Sequence, residues 1–258
     1  MEKKKPNQLI KSLDRAINLL EMLVRSENGM GVTELSRELD LHKSTVFRLL
    51  DTLKYRGYVE KNDDNQNYII GIKLFELGSR VLNDIDSRNR VRPYLEELKE
   101  KTDETVHLGI LDDGEIIYVD KVESNATIRM YSQVGRRVPV HSTSLGKVIL
   151  AHLPEERVRE IIEHKGLPEE GKNTITDPDE LIEHLKKVKE QGYAVDDEEQ
   201  EEGIRCIAGP VFNHRGEIQS SFSISAPITR MDKERLDKLS ELIVEYSKKM
   251  SRSLGYSS

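Results

Sequence analysis

The stretch from Val32 to Gly57 constrains this chain most, because two short segments of helical period meet there across only Asp40 and Leu41. Leu35 and Leu39 mark the first segment, opened by Val32 and Thr33. Val46, Leu49, Leu50 and Leu53 mark the second, from about His42, at the i, i+3, i+4, i+7 spacing of one inward helical face. Helices joined by so few residues cross steeply, as in a helix-turn-helix, and Gly57 just past the second supplies a C-cap. Upstream, Leu13, Ala16, Ile17, Leu20, Leu23 and Val24 recur at spacings of three and four, which predicts a first amphipathic helix with Ser12 as N-cap, broken by residues 28–31. Downstream, residues 58–61 and 67–70 read as two strands joined by the polar tip 62–66. Three helices and a hairpin in that order predict a winged helix-turn-helix over residues 1–71.

From Ile72 the helical period returns, with Leu74, Phe75, Leu77, Val81 and Leu82 giving an apolar stripe on a linker helix, residues 72–90. Residues 84–90 are polar and lack a period, so the domain boundary falls there, and Pro93 is expected to open the next helix through Leu95 and Leu98. Strands are expected at 106–111 and 116–122, flanking an Asp112-Asp113-Gly114 hairpin turn, and at 127–134, 193–195, 205–212 and 218–225. Helices are expected at 144–152, 155–164, 178–191 and 233–254. Adjacent hairpins with helices argue for an α+β domain over residues 91–258, an antiparallel sheet under helical cover and not a doubly wound parallel fold.

At 258 residues, two domains are the expectation, and 36% hydrophobic with 34% charged residues describes a globular chain with wet surfaces. No apolar run approaches the ~20 residues that span a bilayer, and the lysine-rich start is not followed by the apolar stretch of a signal peptide, so a cytoplasmic protein without membrane contact is expected. The single cysteine, Cys206, excludes an internal disulfide and a multi-cysteine zinc site. Net charge is −7, yet residues 1–62 hold 12 Lys and Arg against 9 Asp and Glu, so the positive charge gathers where nucleic acid would be read.

In the helix from His42 the inward set leaves Lys43, Ser44, Thr45, Phe47, Arg48 and Asp51 on the remaining surface. A polar, basic first turn suits the major groove of double-stranded DNA: backbone amides and hydroxyls meet phosphates, and Arg48 or Lys43 can pair with the acceptor edge of guanine. Thr45 can touch a thymine methyl. The acidic wing tip, Asp63 and Asp64, argues for a wing that buttresses the domain and against strong phosphate contact there.

The chain resembles the IclR family of bacterial transcription regulators over nearly its whole length, from about Ser12 to Leu254. The resemblance is carried by Lys43-Ser44-Thr45-Val46-Phe47-Arg48-Leu49-Leu50, by the segment 68–78, by His141-Ser142-Thr143-Ser144-Leu145-Gly146-Lys147, by Asp196-Asp197-Glu198-Glu199 with Gly203-Ile204-Arg205-Cys206-Ile207-Ala208, and by Ser223-Ile224-Ser225-Ala226-Pro227. It implies a GAF-like effector domain, dimerisation through the winged domain and linker helix, a homodimer or homotetramer, and an effector drawn from small organic acids. It leaves the sign of regulation open. By family match the effector pocket is lined by Met130, Val138, Ser144, Leu145, Asp196, Cys206, Ser223 and Ser225. A helix starting near Ser144 would offer free amides to a carboxylate, and Ser223 and Ser225, two apart on a strand, point the same way. Asp196 favours a hydroxy or keto acid, since a plain acid would only be repelled; a sugar-acid breakdown product such as a keto-deoxy-gluconate fits, and a repressor of a palindromic operator is the leading reading.

Two other classes compete. One is a ligand-independent DNA-binding protein whose C-terminal domain only oligomerises. The other is an enzyme with Ser144 or Cys206 as nucleophile and His141 or His107 as base, against which stands the absence of a nucleophile elbow, phosphate loop or dinucleotide fingerprint. His107 and His141 as metal ligands are outweighed by a structural role, so no cofactor or metal is expected.

Overall fold

The computed structural model describes residues 9–84, 86–126 and 132–257, which form two compact units, Met1–Asp84 and Ile85–Ser258. In the first, α1 (Lys11–Arg25), α2 (Val32–Glu38) and α3 (Lys43–Tyr55) precede the antiparallel pair β1 (Val59–Lys61) and β2 (Tyr68–Ile70), and α4 (Lys73–Asp84) closes the unit. The α2–α3 turn is made at Asp40, in the left-handed region at φ 50°, and is tied by the Leu41 amide to the Ser36 carbonyl at 3.0 Å. Leu19, Leu23, Leu35, Val46, Leu50 and Val59 are its buried apolar centre, each such side chain contributing about 1.5–3 kcal/mol. Gly57, at φ 77°, ends α3 where a side chain would be strained. Asn65 and Asn67 donate to the Asn28 carbonyl at 3.3 Å, which pins the wing against the α1–α2 connection.

The first helix departs from its expected pattern. Its N-cap is Ile10 without a side-chain bond, and Ser12 lies inside the helix, which starts two residues earlier than expected, at Lys11. Its apolar residues also divide between two faces: Leu19 and Leu23 are buried, whereas Leu13, Ile17 and Val24 are exposed.

The second unit is built on a six-stranded sheet in the order β5-β4-β3-β8-β7-β6, antiparallel throughout. Its strands are β3 (Thr105–Asp112), β4 (Glu115–Val122), β5 (Arg137–Pro139), β6 (Ala194–Asp197), β7 (Ile204–Phe212) and β8 (Ile218–Pro227). Helices α5 (Asp86–Thr102) and α9 (Lys233–Ser253) cover one face; α6 (Ser144–Ala151), α7 (Glu155–Lys165) and α8 (Pro178–Gln191) pack on the other. Neighbouring residues of β7 show the two sides: Ala208 joins the core with α6 to α8, while a Cβ on Gly209 would meet Ile243 of α9. The β3–β4 hairpin turns through Asp113 and Gly114, both at positive φ, as the sequence requires.

Two expectations are corrected. Pro93 does not open a helix; α5 begins at Asp86 and contains it, because the fully buried Val91, Leu95 and Leu98 hold the helix together around the one backbone donor that proline lacks. The expected strand at 127–134 does not extend to its end: residues 132–134 carry no strand and lead into a turn at Gly135, and the short strand comes later, as β5; residues 127–131 lie outside the described residues. Among the described residues no helix is long and apolar enough to cross a membrane.

Candidate effector pocket and nucleic-acid interface

Helix α3 presents Lys43, Ser44, Phe47 and Arg48 to solvent, Phe47 at 54% exposure, with Thr45 half-buried. Val46 and Leu50 hold the opposite side in the core. The N-cap His42 makes no side-chain bond to the first turn. The helix therefore offers its own N-terminal amides and a basic, polar surface outward, as groove reading requires.

In the second unit, strand register brings the expected pocket residues together. Asp196 pairs with Cys206 and Cys206 with Ser225, so β6, β7 and β8 set these three side by side. Ser221, Ser223 and Ser225 alternate onto the α6 side of β8, where the Ser221 hydroxyl donates to the Leu145 carbonyl at 3.0 Å. Thr143 caps α6 by accepting from the Gly146 amide at 3.2 Å and donating to the Pro139 carbonyl at 2.7 Å. That cap leaves Ser144 and Leu145, at the start of α6, facing the sheet. The resulting cavity is lined by Val138, Ser144, Leu145, Asp196, Cys206, Ser223 and Ser225 among others; Met130 lies outside the described residues.

Tyr118, Ser132, Arg136, Thr143, Gln200, Glu201 and Ile204 complete the lining and were not expected. Thr143 stands inside the His141 to Lys147 segment and could have been taken from it. Gln200 and Glu201 belong to a charged run that sequence alone reads as a solvated loop; here Asp196 accepts from the Glu199 and Gln200 amides at 2.9 and 3.3 Å, and Gln200 accepts from Ser142 at 2.6 Å. Behind the cavity the fully buried Lys147 is ion-paired with Glu199.

Burial governs the electrostatics. It raises the Asp196 carboxyl to about 7, against the pull of Lys147, and lifts Glu199 as well. It lowers His107 to about 3, with Lys121 adding to the effect, and pushes the Tyr118 hydroxyl and the Cys206 thiol above their usual ranges. Below about pH 7 the Asp196 carboxyl, the Tyr118 hydroxyl and the Cys206 thiol are therefore all neutral donors and acceptors. A thiol held protonated is a poor nucleophile. His141 is bonded to the Pro168 carbonyl at 2.9 Å and His107 to Ser132 at 2.7 Å, and among the described residues no hydrogen bond joins either histidine to Ser144 or Cys206.

Comparison with known proteins agrees with this layout. The IclR helix-turn-helix domain matches residues 12–63, and the C-terminal domain of the bacterial transcriptional regulator IclR matches residues 79–252. The chain belongs to the IclR family. Its similarity to the HTH-type transcriptional regulator KdgR of Escherichia coli is 40% identity over 96% of this chain and 94% of that protein. The crystal structure of Thermotoga maritima IclR superposes with a TM-score of 0.83 at 34% identity, over 96% of this chain and all of that one (100%). An IclR homologue from Microbacterium hydrocarbonoxydans, crystallised in complex with 4-hydroxybenzoate, superposes with a TM-score of 0.83 at 25% identity, over 94% and 98% of the two chains. As an IclR-family member the chain is a transcription regulator with a DNA-binding helix-turn-helix domain and an α+β C-terminal domain.

Proposed function

We propose that this regulator is a repressor whose affinity for a palindromic double-stranded operator is set by a small organic acid in the cavity of its second unit. Residues 1–71 read DNA through Lys43, Ser44, Thr45, Phe47 and Arg48, residues 72–90 link, and residues 91–258 bind the effector. The observation that carries the reading is the row Asp196, Cys206, Ser225 under the N-terminal turn of α6. The α6 amides suit a carboxylate, and the surrounding hydroxyls, with a carboxyl neutral below about pH 7, suit ligand hydroxyl or keto oxygens.

That balance favours a polyhydroxylated or keto acid such as a keto-deoxy-gluconate over a flat aromatic acid like the 4-hydroxybenzoate of the Microbacterium homologue, because hydroxyl, carboxyl, amide and guanidinium side chains outnumber the apolar ones in the lining. The chain acts as a homodimer or homotetramer and not as an enzyme; the exposed apolar residues of α1 and α4 support the first point, and the engaged histidines and protonated thiol support the second. Effector and DNA are coupled by ~1–3 kcal/mol if the coupling is ordinary. Thermal shift against 2-keto-3-deoxy-gluconate, gluconate and benzoate tests the pocket: the keto acid is expected to raise the melting temperature most, and stabilisation by benzoate alone would overturn the ligand class.

A further inference from the structure

Between the cavity and the helix that opens the second unit lies a polar cluster outside the cavity's lining. Asp120 of β4 is only 2% exposed, and two guanidinium groups from the first two turns of α5 converge on it. Arg92 is hydrogen-bonded to its Oδ1, and Arg88 Nε stands 3.4 Å from its Oδ2. Arg92 also donates to the Lys121 carbonyl at 3.3 Å. Beyond this point the contacts run toward the cavity. Lys121 Nζ donates to the Ser132 carbonyl at 2.8 Å, the Ser132 hydroxyl is 2.7 Å from His107 Nε2, and His107 Nδ1 is 3.4 Å from the Ser225 hydroxyl. Ser132 and Ser225 both line the cavity.

The register of β4 explains how one strand serves both sides of the sheet. Asp120 pairs with Leu108 and Tyr118 with Gly109, so β4 carries one extra residue, Val119, where β3 has none. Strict alternation would send Tyr118 and Lys121, three apart, to opposite faces. The bulge lets Tyr118 line the cavity and Lys121 reach the Ser132 carbonyl while Asp120 meets α5. His107, kept neutral by burial, has one ring nitrogen that donates and one that accepts, so a ligand that takes the Ser132 or Ser225 hydroxyl competes with it directly.

We propose that Asp120, held by Arg88 and Arg92, is the joint through which cavity occupancy is passed to α5, and from there along the chain to α4 and the reading domain. The proposal rests on the cavity being an effector site. Asp120 touches no ligand in this scheme; it is a positioning residue. The buried Asp120 carboxylate takes a hydrogen bond from the Lys121 amide of its own strand, at 2.8 Å, but its charge is met only by the two α5 guanidinium groups among the described residues, so a shift of β4 is followed by α5 or separates that charge from its counter-charges.

Two experiments on the full chain test it. Ser132→Ala removes the hydroxyl held by His107 and leaves β4 and α5 untouched. Amide exchange over residues 90–98 should then accelerate by about threefold or more, with α8 unchanged; α5 exchange equal to wild type would overturn the joint. The second uses 2-keto-3-deoxy-gluconate as probe and a duplex selected from random sequence by the protein itself. Asp120→Asn should keep the thermal shift given by the probe and the binding of free duplex, while the probe's effect on duplex affinity falls from about tenfold to under about twofold.

A wild-type probe response in Asp120→Asn would contradict the joint. A probe that shifts neither melting nor duplex affinity of the wild type would count against the effector reading for that acid, and the exchange measurement would still decide the joint. Should Asp120→Asn fail to fold, Arg92→Lys, which keeps the charge but not the double contact, is read by the same two outcomes.

Discussion

Asp196 carries the pH dependence of the pocket. Its carboxyl sits at about 7 in the folded chain against 3.8 for the ordinary side chain. A raised carboxyl favours the protonated fold, so its contribution to stability is fully present below about pH 4 and is lost as pH rises through 7. Asp196→Asn should therefore gain on the wild type between pH 5 and pH 8 by on the order of 3 kcal/mol, measured by urea unfolding; a pH-independent difference would mean the carboxyl is not held neutral. Ser223→Ala with Ser225→Ala should abolish the ligand response in a duplex-binding assay while free duplex binding persists, and a normal response would remove the β8 serines from the site. These serines were legible from their two-residue spacing and the family pattern. Arg136, Gln200 and Tyr118 were not, because β5, the Asp196–Gln200 turn and the β4 bulge that bring them to the cavity depend on pairing between strands far apart in sequence.

Helix α3 was legible in full, since a helix that buries one stripe and exposes another writes both into its period. Arg48→Ala should weaken duplex binding by about 1–3 kcal/mol, and Lys43→Ala should reduce the salt dependence by about one phosphate contact; unchanged affinity and slope in both would exclude α3 as the reader. Helix α6 offers a sharper test of construction. A Cβ on Gly146 would overlap the Val140 backbone, which cannot move aside as a side chain can. Gly146→Ala should cost about 3 kcal/mol or more and displace the α6 amides from the cavity; wild-type stability together with wild-type ligand response would refute that packing. The misread elements share a cause. Pro93 and the split face of α1 are set by which neighbours bury them, and local propensity does not encode the neighbours.

The exposed Leu13, Ile17 and Phe75, the last at 70%, are apolar surface on the reading unit that a second copy would cover. Ile17→Glu with Phe75→Glu should halve the mass in solution, or more, by light scattering and lower duplex affinity, and an unchanged assembly would locate the contact elsewhere. The regulatory claim itself is tested most directly by anisotropy titration of the full chain against its selected duplex, with and without saturating 2-keto-3-deoxy-gluconate. Affinity should change by about 5- to 150-fold with the acid present. Identical titration curves, for a protein that the same acid measurably stabilises against heat, would show that the cavity and the reading helix do not communicate.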